Sequence, residues 1–174
     1  GAQLFVIDSC TIKNNGDDPA GTAYQIALIN GAEHVITNSI IEGSGLSNIY
    51  VGTDLTKITN CSFEGTPTDG HIQVGDSSGG GVTASNVFIG HNNFQNGSAG
   101  NAVDCQDYVG ITIFANQFQS NSKVRLGSDE GDKYSIIDSN YGLNVLTEIT
   151  DSGTTDGKII YRNSNVFICW VRVN

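Results

Sequence analysis

Three carboxylates in this chain could supply acid–base chemistry, and five nearby side chains could hold a substrate. Two carboxyl groups separated by about 5 Å or about 6.5–9.5 Å are what glycoside hydrolysis requires. Asp104 with Glu148 or Asp69 is the best pair that the chain offers for a general acid and a general base. The side chains predicted to bind substrate beside them are Tyr50, His71, Gln73, Lys123 and Arg125.

A six-residue phrase, repeated along the chain, determines where these side chains lie. Each copy begins with Ile, has Cys, Ser or Asn three residues later, and ends on a large apolar residue. The leading Ile residues are 29, 22, 31, 24 and 23 residues apart. Such a period is typical of solenoids, in which each repeat buries its apolar face only against its neighbours. The copies start at Ile7, Ile36, Ile58, Ile89, Ile113 and Ile136, and a slipped seventh runs from Tyr161 through Ser164 to Val166.

Strands rather than helices form each repeat. Each phrase is followed, after a Gly/Asn-rich gap, by a second segment with apolar residues at alternate positions, and this period indicates half-buried strands. Leucine-rich repeats share the spacing, but Leu is scarce and no helical half-repeat occurs. Hexapeptide left-handed helices have a shorter and stricter period. The sequence therefore predicts an all-β fold, a parallel β-helix or single-stranded solenoid of about six to seven coils.

The segment Val87–Gly97, which reads VFIGHNNFQNG, resembles the right-handed parallel β-helix repeat of pectate-lyase-like proteins and phage tailspikes. The resemblance covers roughly residues 5 to 160 and implies a right-handed coil. It also implies a column of side chains that stack inside a bend and bond the backbone of neighbouring coils. The predicted members of that column are Cys10, Ser39, Cys61, Asn92, Asn116 and Ser139.

The domain boundaries follow from the repeats. Residues 1–4 precede the solenoid, residues 5–160 form it, and residues 161–174 form a last coil, a cap or a subunit interface. The chain contains no Met and the first coil begins abruptly, so we expect it to be a fragment of a larger protein. The apolar run Val166–Val173 predicts a covered end, and trimerisation is how tailspike-like proteins cover such surfaces.

The net charge of the chain restricts the classes of molecule that it is expected to bind. Eight basic and eighteen acidic residues give a formal charge of −10, which disfavours nucleic acid and anionic membranes. A neutral glycan, or an acidic glycan bridged by a cation, stays open. Acidic Gly-rich loops at 75–81, 127–132 and 151–157 could hold calcium, but their spacing matches no known calcium loop, and solvated turns are the favoured interpretation. No other cofactor is expected.

The four cysteines are predicted to be free thiols. Cys10 and Cys61 belong to one column with Ser39 between them, so about 9–10 Å of coil stacking separates them. That distance exceeds the limit of about 7 Å for a disulfide. Free thiols favour folding in a reducing cytosol, followed by exposure on a virion tail or an extracellular surface.

The surface predicted to carry function is the outward face of the third strand of each coil. One outward column should read Gln25, Asn48, His71, Ala102, Lys123, and the next Ala27, Tyr50, Gln73, Asp104, Arg125, Glu148. An aromatic side chain with amides and mixed charges suits sugar recognition. The simpler interpretation is a solvated face on which Asp104 and Arg125 form a surface salt bridge.

Two classes of function stay open. One is a polysaccharide-engaging segment of a phage tailspike or similar surface adhesin, assembled as a homotrimer. The other is a polysaccharide hydrolase or lyase of the pectate-lyase-like superfamily. Gly16-Asp17-Asp18 and Asp69-Gly70-His71 are only faintly similar to polygalacturonase motifs, and the motif that contains the lyase arginine is absent. The missing motifs favour the first class.

Overall fold

The computed structural model describes residues 4–14, 23–43, 45–76, 82–95, 101–119, 123–129, 134–142, 146–149 and 158–163. All helical or strand structure in these ranges is β-strand. Each strand pairs in parallel with the equivalent strand of the adjacent coil. The predicted all-β parallel solenoid, a parallel β-helix, is therefore confirmed.

Three strands make up one coil. The first three coils contain β1 (Val6–Asp8), β2 (Thr11–Lys13), β3 (Tyr24–Leu28), β4 (Val35–Thr37), β5 (Ile40–Glu42), β6 (Ser47–Val51), β7 (Lys57–Thr59), β8 (Ser62–Glu64) and β9 (Gly70–Val74). The later coils contain β10 (Ala84–Gly90), β11 (Asn93–Phe94), β12 (Asn101–Phe114), β13 (Gln117–Phe118), β14 (Lys123–Asp129), β15 (Tyr134–Gly142), β16 (Leu146–Ile149) and β17 (Lys158–Asn163).

The long strand β12 serves two coils. Its first part pairs with β9 and β14 as a third strand, and its second part pairs with β10 and β15 as the first strand of the next coil. Six coils are thus present, and β17 begins a seventh by pairing with β15. This count agrees with the predicted six to seven coils, and β17 crosses the predicted boundary at residue 160.

Columns of identical or similar apolar residues fill the interior. The leading Ile residues of the first five phrases pair across successive coils and are buried. On the second strands, the rings of Phe63, Phe94 and Phe118 stack with centroids 4.9 Å apart at each step. Close stacking of β-branched and aromatic side chains between coils removes their apolar surface from water, which is the main stabilising contribution to such a fold.

The bend after each first strand needs a residue with positive φ. Asn38, Asn60 and His91 have φ between 51° and 58°, a left-handed conformation in which Asn is well tolerated. The next residue turns its polar side chain inward. Asn92 donates through Nδ2 to Ile58 O at 3.0 Å, and Asn116 donates in the same way to Ile89 O at 3.0 Å. The predicted column of inward polar side chains is confirmed for these coils.

The last member of that column differs from the prediction. Asn140, rather than Ser139, accepts hydrogen bonds from Asn116 N and Nδ2, both at 2.9 Å. Ser139 instead has the positive φ of 57° that belongs to the preceding bend position. The predicted sixth copy began one residue too early, because Ile137, not Ile136, pairs with Ile113. Two consecutive isoleucines made both registers equally apolar in the sequence.

The predicted seventh copy lies partly outside the described residues. Tyr161 pairs with Ile137, as its position at the head of a phrase requires. Ser164 and Val166, like the apolar run up to Val173, lie outside the described residues. The described part of the chain holds no helix that is long and apolar enough to cross a bilayer.

Candidate functional site

The outward column of the third strands is in the predicted register. Strand pairing aligns Ala27, Tyr50, Gln73, Asp104, Arg125 and Glu148 on successive coils. Neighbouring members are separated by about 4.8 Å, the spacing of adjacent strands. Side chains on adjacent coils of this column can therefore contact one another directly.

Asp104 and Arg125 form a two-pronged ion pair within this column. Arg125 Nε donates to Asp104 Oδ1 and Nη2 donates to Oδ2, both at 2.6 Å. The Asp104 side chain is only 3% exposed, whereas that of Arg125 is 37% exposed. Burial raises the pKa of Asp104, and the hydrogen bonds from Arg125 and Gln106 partly oppose this rise. The pair is therefore a half-buried ion pair in which Asp104 holds the Arg125 guanidinium, and not the solvated surface salt bridge of the simpler interpretation.

Tyr50 lies beneath another tyrosine that the sequence analysis did not select. The rings of Tyr24 and Tyr50 stack with centroids 4.9 Å apart and planes inclined by 25°. The Tyr24 hydroxyl donates to Gln73 Oε1 at 3.5 Å, and Gln73 Nε2 donates to Gly75 O at 3.4 Å. Tyr50 and Gln73 are buried, so they hold Tyr24 in place instead of facing solvent themselves.

Gly52 lets the Tyr50 ring lie flat on the sheet. A Cβ atom on Gly52 would lie 2.9 Å from Cε1 of the Tyr50 ring. Because no side chain rises at this position, Tyr50 can fold over the sheet surface, which contributes to its low exposure on an outward face. Gly75 has a different reason: its φ is 69°, and a Cβ atom there would overlap the carbonyl oxygen of Asp107 on the adjacent coil.

The site consequently has two layers. The inner layer, which consists of Tyr50, Gln73 and Asp104, is buried. The outer layer is half-buried and within reach of a ligand; it consists of Tyr24, Asp69, Asp76, Gln106 and Arg125.

Two outer-layer residues, Tyr24 and Gln106, were missed by the sequence analysis. Gln106 Nε2 donates to Asp104 Oδ2 at 3.2 Å, and its position two residues after Asp104 on a strand signals the shared face. Tyr24 pairs in register with Ser47, which pairs with Gly70. A large ring followed by two small residues in one column is the signal that could have identified Tyr24.

The other predicted outward column lies inside the molecule, which corrects the assignment of His71 to the ligand-binding face. His71 is 1% exposed and its ring lies 5.9 Å from both Phe63 and Phe94, measured between centroids. Asn48 and Gln25, which precede it in the same column, are also buried, as is Ala102 after it. These residues are the second residues of their strands, and neighbouring side chains cover them there: the His71 ring packs against Phe63 and Phe94 and contacts Asn48.

Burial keeps His71 neutral, and Asn48 is its side-chain neighbour. The Asn48 amide donates from Nδ2 to Glu64 O at 3.1 Å and contacts His71 Nδ1 at 2.9 Å. Burial lowers the pKa of His71 to about 4, opposed in part by the backbone of Gln95. His71 is therefore a core residue with no role on the outward face.

The predicted acid–base residues occupy different surroundings. Both carboxylate oxygens of Asp104 accept hydrogen bonds from Arg125 or Gln106. Asp69 lies half-buried in the loop before β9, and its negative charge contributes to raising the pKa of Asp104. Glu148 pairs with Arg125 in register, two coil spacings or about 9.6 Å from Asp104 along the sheet.

The side-chain positions of Glu148 and Lys123 lie outside the described part of the structure. The backbone of Lys123 pairs with Asn101, and not with Ala102 as the predicted column required, because a bulge lies between Asn101 and Val103. On its other side Lys123 pairs with Leu146. The described residues contain no group of three His, Cys, Asp or Glu side chains that could hold a metal ion. The calcium loops considered in the sequence analysis fall largely outside the described residues.

Comparison with known proteins found no match: no family model, no curated protein and no solved structure matches the chain. The parallel β-helix is therefore established by strand pairing alone. This architecture is compatible with enzymes and with non-catalytic binding modules, so function has to be argued from the two-layered outward face.

Proposed function

We propose that this β-helical segment binds a polysaccharide through its two-layered outward face, as a non-catalytic part of a tailspike-like or similar surface adhesin. The observation that carries the proposal is the half-buried Tyr24 ring, supported from below by Tyr50 and held at its hydroxyl by Gln73. A sugar ring needs an apolar surface with hydrogen-bonding groups beside it. Arg125 and Gln106 supply such groups, and Asp104 holds both of them.

Preorganisation supports this assignment. Binding costs free energy when mobile side chains must be ordered. Here the stacked rings and the two-pronged ion pair hold the reachable groups before a ligand arrives. The three cysteines within the described residues, Cys10, Cys61 and Cys105, are free thiols, which suits a protein that folds in a reducing cytosol and is later displayed on a virion tail or another surface. A homotrimer would present three copies of the face and raise avidity without new contacts.

A polysaccharide hydrolase or lyase is the second candidate. Burial raises the pKa of Asp104, a change expected of a general acid. The ion pair with Arg125 opposes this role, since both oxygens of Asp104 already accept hydrogen bonds. Incubation with polysaccharides, followed by assays for reducing ends and unsaturated products, separates the candidates. Turnover that is lost in Asp104→Asn would replace the binding proposal with the enzymatic one.

The binding proposal is tested by substitutions at Tyr24. Tyr24→Ala removes the supported ring, and we expect at least about a tenfold weaker affinity for polysaccharide, equivalent to about 1.4 kcal/mol. Tyr24→Phe keeps the ring and loses only the bond to Gln73, so its effect should be smaller. Tyr141→Ala is the matched control, because Tyr141 is 48% exposed on β15, away from the third strands. Equal effects of Tyr24→Ala and Tyr141→Ala on glycan binding would contradict the proposal.

A further inference from the structure

We propose that the polysaccharide recognised by this face is electrically neutral, an inference that rests on the proposed function and narrows the ligand class. It excludes the uronic-acid and sialic-acid polymers that a basic groove would select. The argument depends on the charges that surround the supported tyrosine ring.

Carboxylates outnumber cations around the reachable groups. Asp69 and Asp76 belong to the outer layer, and Asp107 lies beside it, where its Oδ1 accepts a hydrogen bond from Thr83 at 3.1 Å. The one guanidinium of this face in the described side chains, that of Arg125, has its charge balanced by Asp104. The formal charges of Lys123 and Glu148, on β14 and β16, cancel. The whole chain has a formal charge of −10, so its net charge has the same sign as the local one.

The negative charges act at the tyrosines themselves. Burial is the main reason that the pKa of Tyr24 is raised, and the nearby Tyr50, Asp76 and Asp69 add to the rise. Burial likewise raises the pKa of Tyr50, with contributions from Asp76 and Asp107. A carboxylate-bearing sugar stacked on Tyr24 would therefore meet like charges at close range, where repulsion is least screened.

Hydroxyl groups suit the same surroundings. A sugar hydroxyl both donates and accepts hydrogen bonds, whereas a carboxylate only accepts. Asp69 and Asp76 can accept from hydroxyls, and the amide of Gln106 and the exposed part of Arg125 can donate to them. A face rich in acceptors with few donors is thus complementary to a polyhydroxylated, uncharged chain.

Affinity measurements with two classes of purified polysaccharide test the inference. The neutral probes are glucans, mannans and galactans, and the acidic probes are polygalacturonate, alginate and polysialic acid, each with and without calcium. We expect binding within the neutral class only, with an affinity that changes less than about twofold between about 50 mM and about 500 mM NaCl, because counterion effects are absent. Binding of an acidic probe that Tyr24→Ala abolishes would overturn the neutral assignment and leave the proposed function standing. Absence of binding to every probe would overturn both.

A charge-neutralised variant gives a second test. Asp69→Asn/Asp76→Asn removes two negative charges beside Tyr24, and we expect acidic probes to bind measurably better than to the natural chain, by at least about fivefold. Asp8→Asn/Glu33→Gln is the matched control, because it changes the net charge equally at exposed positions outside the third strands. Equal gains in both double variants would show that net charge, rather than this face, excludes acidic glycans, and would contradict the inference.

Discussion

Asp104 and Arg125 join two successive coils through a two-pronged ion pair, with both nitrogen–oxygen distances at 2.6 Å. The aspartate is buried and the arginine is partly exposed. Arg125 compensates the charge of the buried Asp104, and the same contact fixes the guanidinium at the edge of the candidate ligand-binding face. The same ion pair therefore stabilises the contact between two coils and positions the Arg125 side chain on the ligand-binding face.

Loss of Arg125 should destabilise the fold. Arg125→Gln leaves the buried Asp104 carboxylate without its main partner, and we expect the free energy of unfolding to fall by about 1–3 kcal/mol. Asp104→Asn in the same chain should restore much of that loss, because the uncompensated charge is then removed. Urea denaturation of the four members of the double-mutant cycle measures the coupling. A coupling below about 0.5 kcal/mol would instead match an ordinary surface pair.

The asparagine column should be among the most sensitive parts of the structure. Asn116 is fully buried; its Nδ2 bonds Ile89 O and Asn140 Oδ1, and its Oδ1 accepts from Asn92. Asn116→Ala leaves several buried groups unpaired, so we expect a loss of about 3 kcal/mol or more. Asn93→Ala is the control, since Asn93 is half-buried and turned outward on β11. Similar unfolding midpoints for the two variants in urea would contradict this view of the column.

His71 should make the fold sensitive to acid. Its pKa is about 4 in the folded protein and 6.5 in its reference state, so the unfolded chain binds its proton first as the pH falls. Stability from this residue is complete above about pH 6.5 and decreases by about 1.4 kcal/mol per pH unit towards pH 4, for a total of about 3 kcal/mol.

Removing the imidazole should abolish this component of the pH dependence. We expect urea denaturation of His71→Gln between pH 7 and pH 4.5 to show a shallower loss of stability than the natural chain. The control His91→Gln changes an exposed imidazole on the bend after β10 and should keep the original slope. A parallel pH dependence in His71→Gln and the natural chain would show that His71 is not a buried neutral group.

The thiols should differ sharply in reactivity. Cys10 is exposed, whereas Cys61 and Cys105 are buried. Burial raises the pKa of Cys61 to about 11 and raises that of Cys105 as well, which keeps both as unreactive thiols. In peptide mapping after a short exposure to iodoacetamide, Cys10 should be labelled in the native protein and the two others only after denaturation without reductant. Detection of a Cys10–Cys61 disulfide would contradict the two-coil separation of these residues.

The sequence was sufficient to predict the architecture because a solenoid repeats the same local structure, a coil of short strands, along the chain. Each coil contains an Ile at the head of a phrase, a polar residue at the bend and alternating apolar residues on the third strand. Because these features recur in every coil, their period is visible in the sequence. The register failed at Ile136 and Ile137, where two adjacent apolar residues satisfy the pattern equally, and at Lys123, where a bulge between Asn101 and Val103 removes Ala102 from the pairing. The outward column from Tyr50 to Arg125 was predicted for the same reason, since parallel pairing keeps equivalent positions aligned.

What the tertiary structure decided is which of the aligned residues a ligand can reach. The alternating pattern predicts that Tyr50 and Asp104 face outward. In the structure both are buried, because Tyr24 lies over Tyr50, and Gln106 and Arg125 lie beside Asp104. The repeat also misplaced His71, because its ring is covered by Phe63 and Phe94, residues of the second strands that pack against it only after the coils have stacked. The sequence by itself determined the coil, the columns and their order, all of which depend on local periodicity. Whether a ligand can contact a residue, and how deeply that residue is buried, depends on side chains that extend from one coil to the next. These contacts exist only once the coils have stacked.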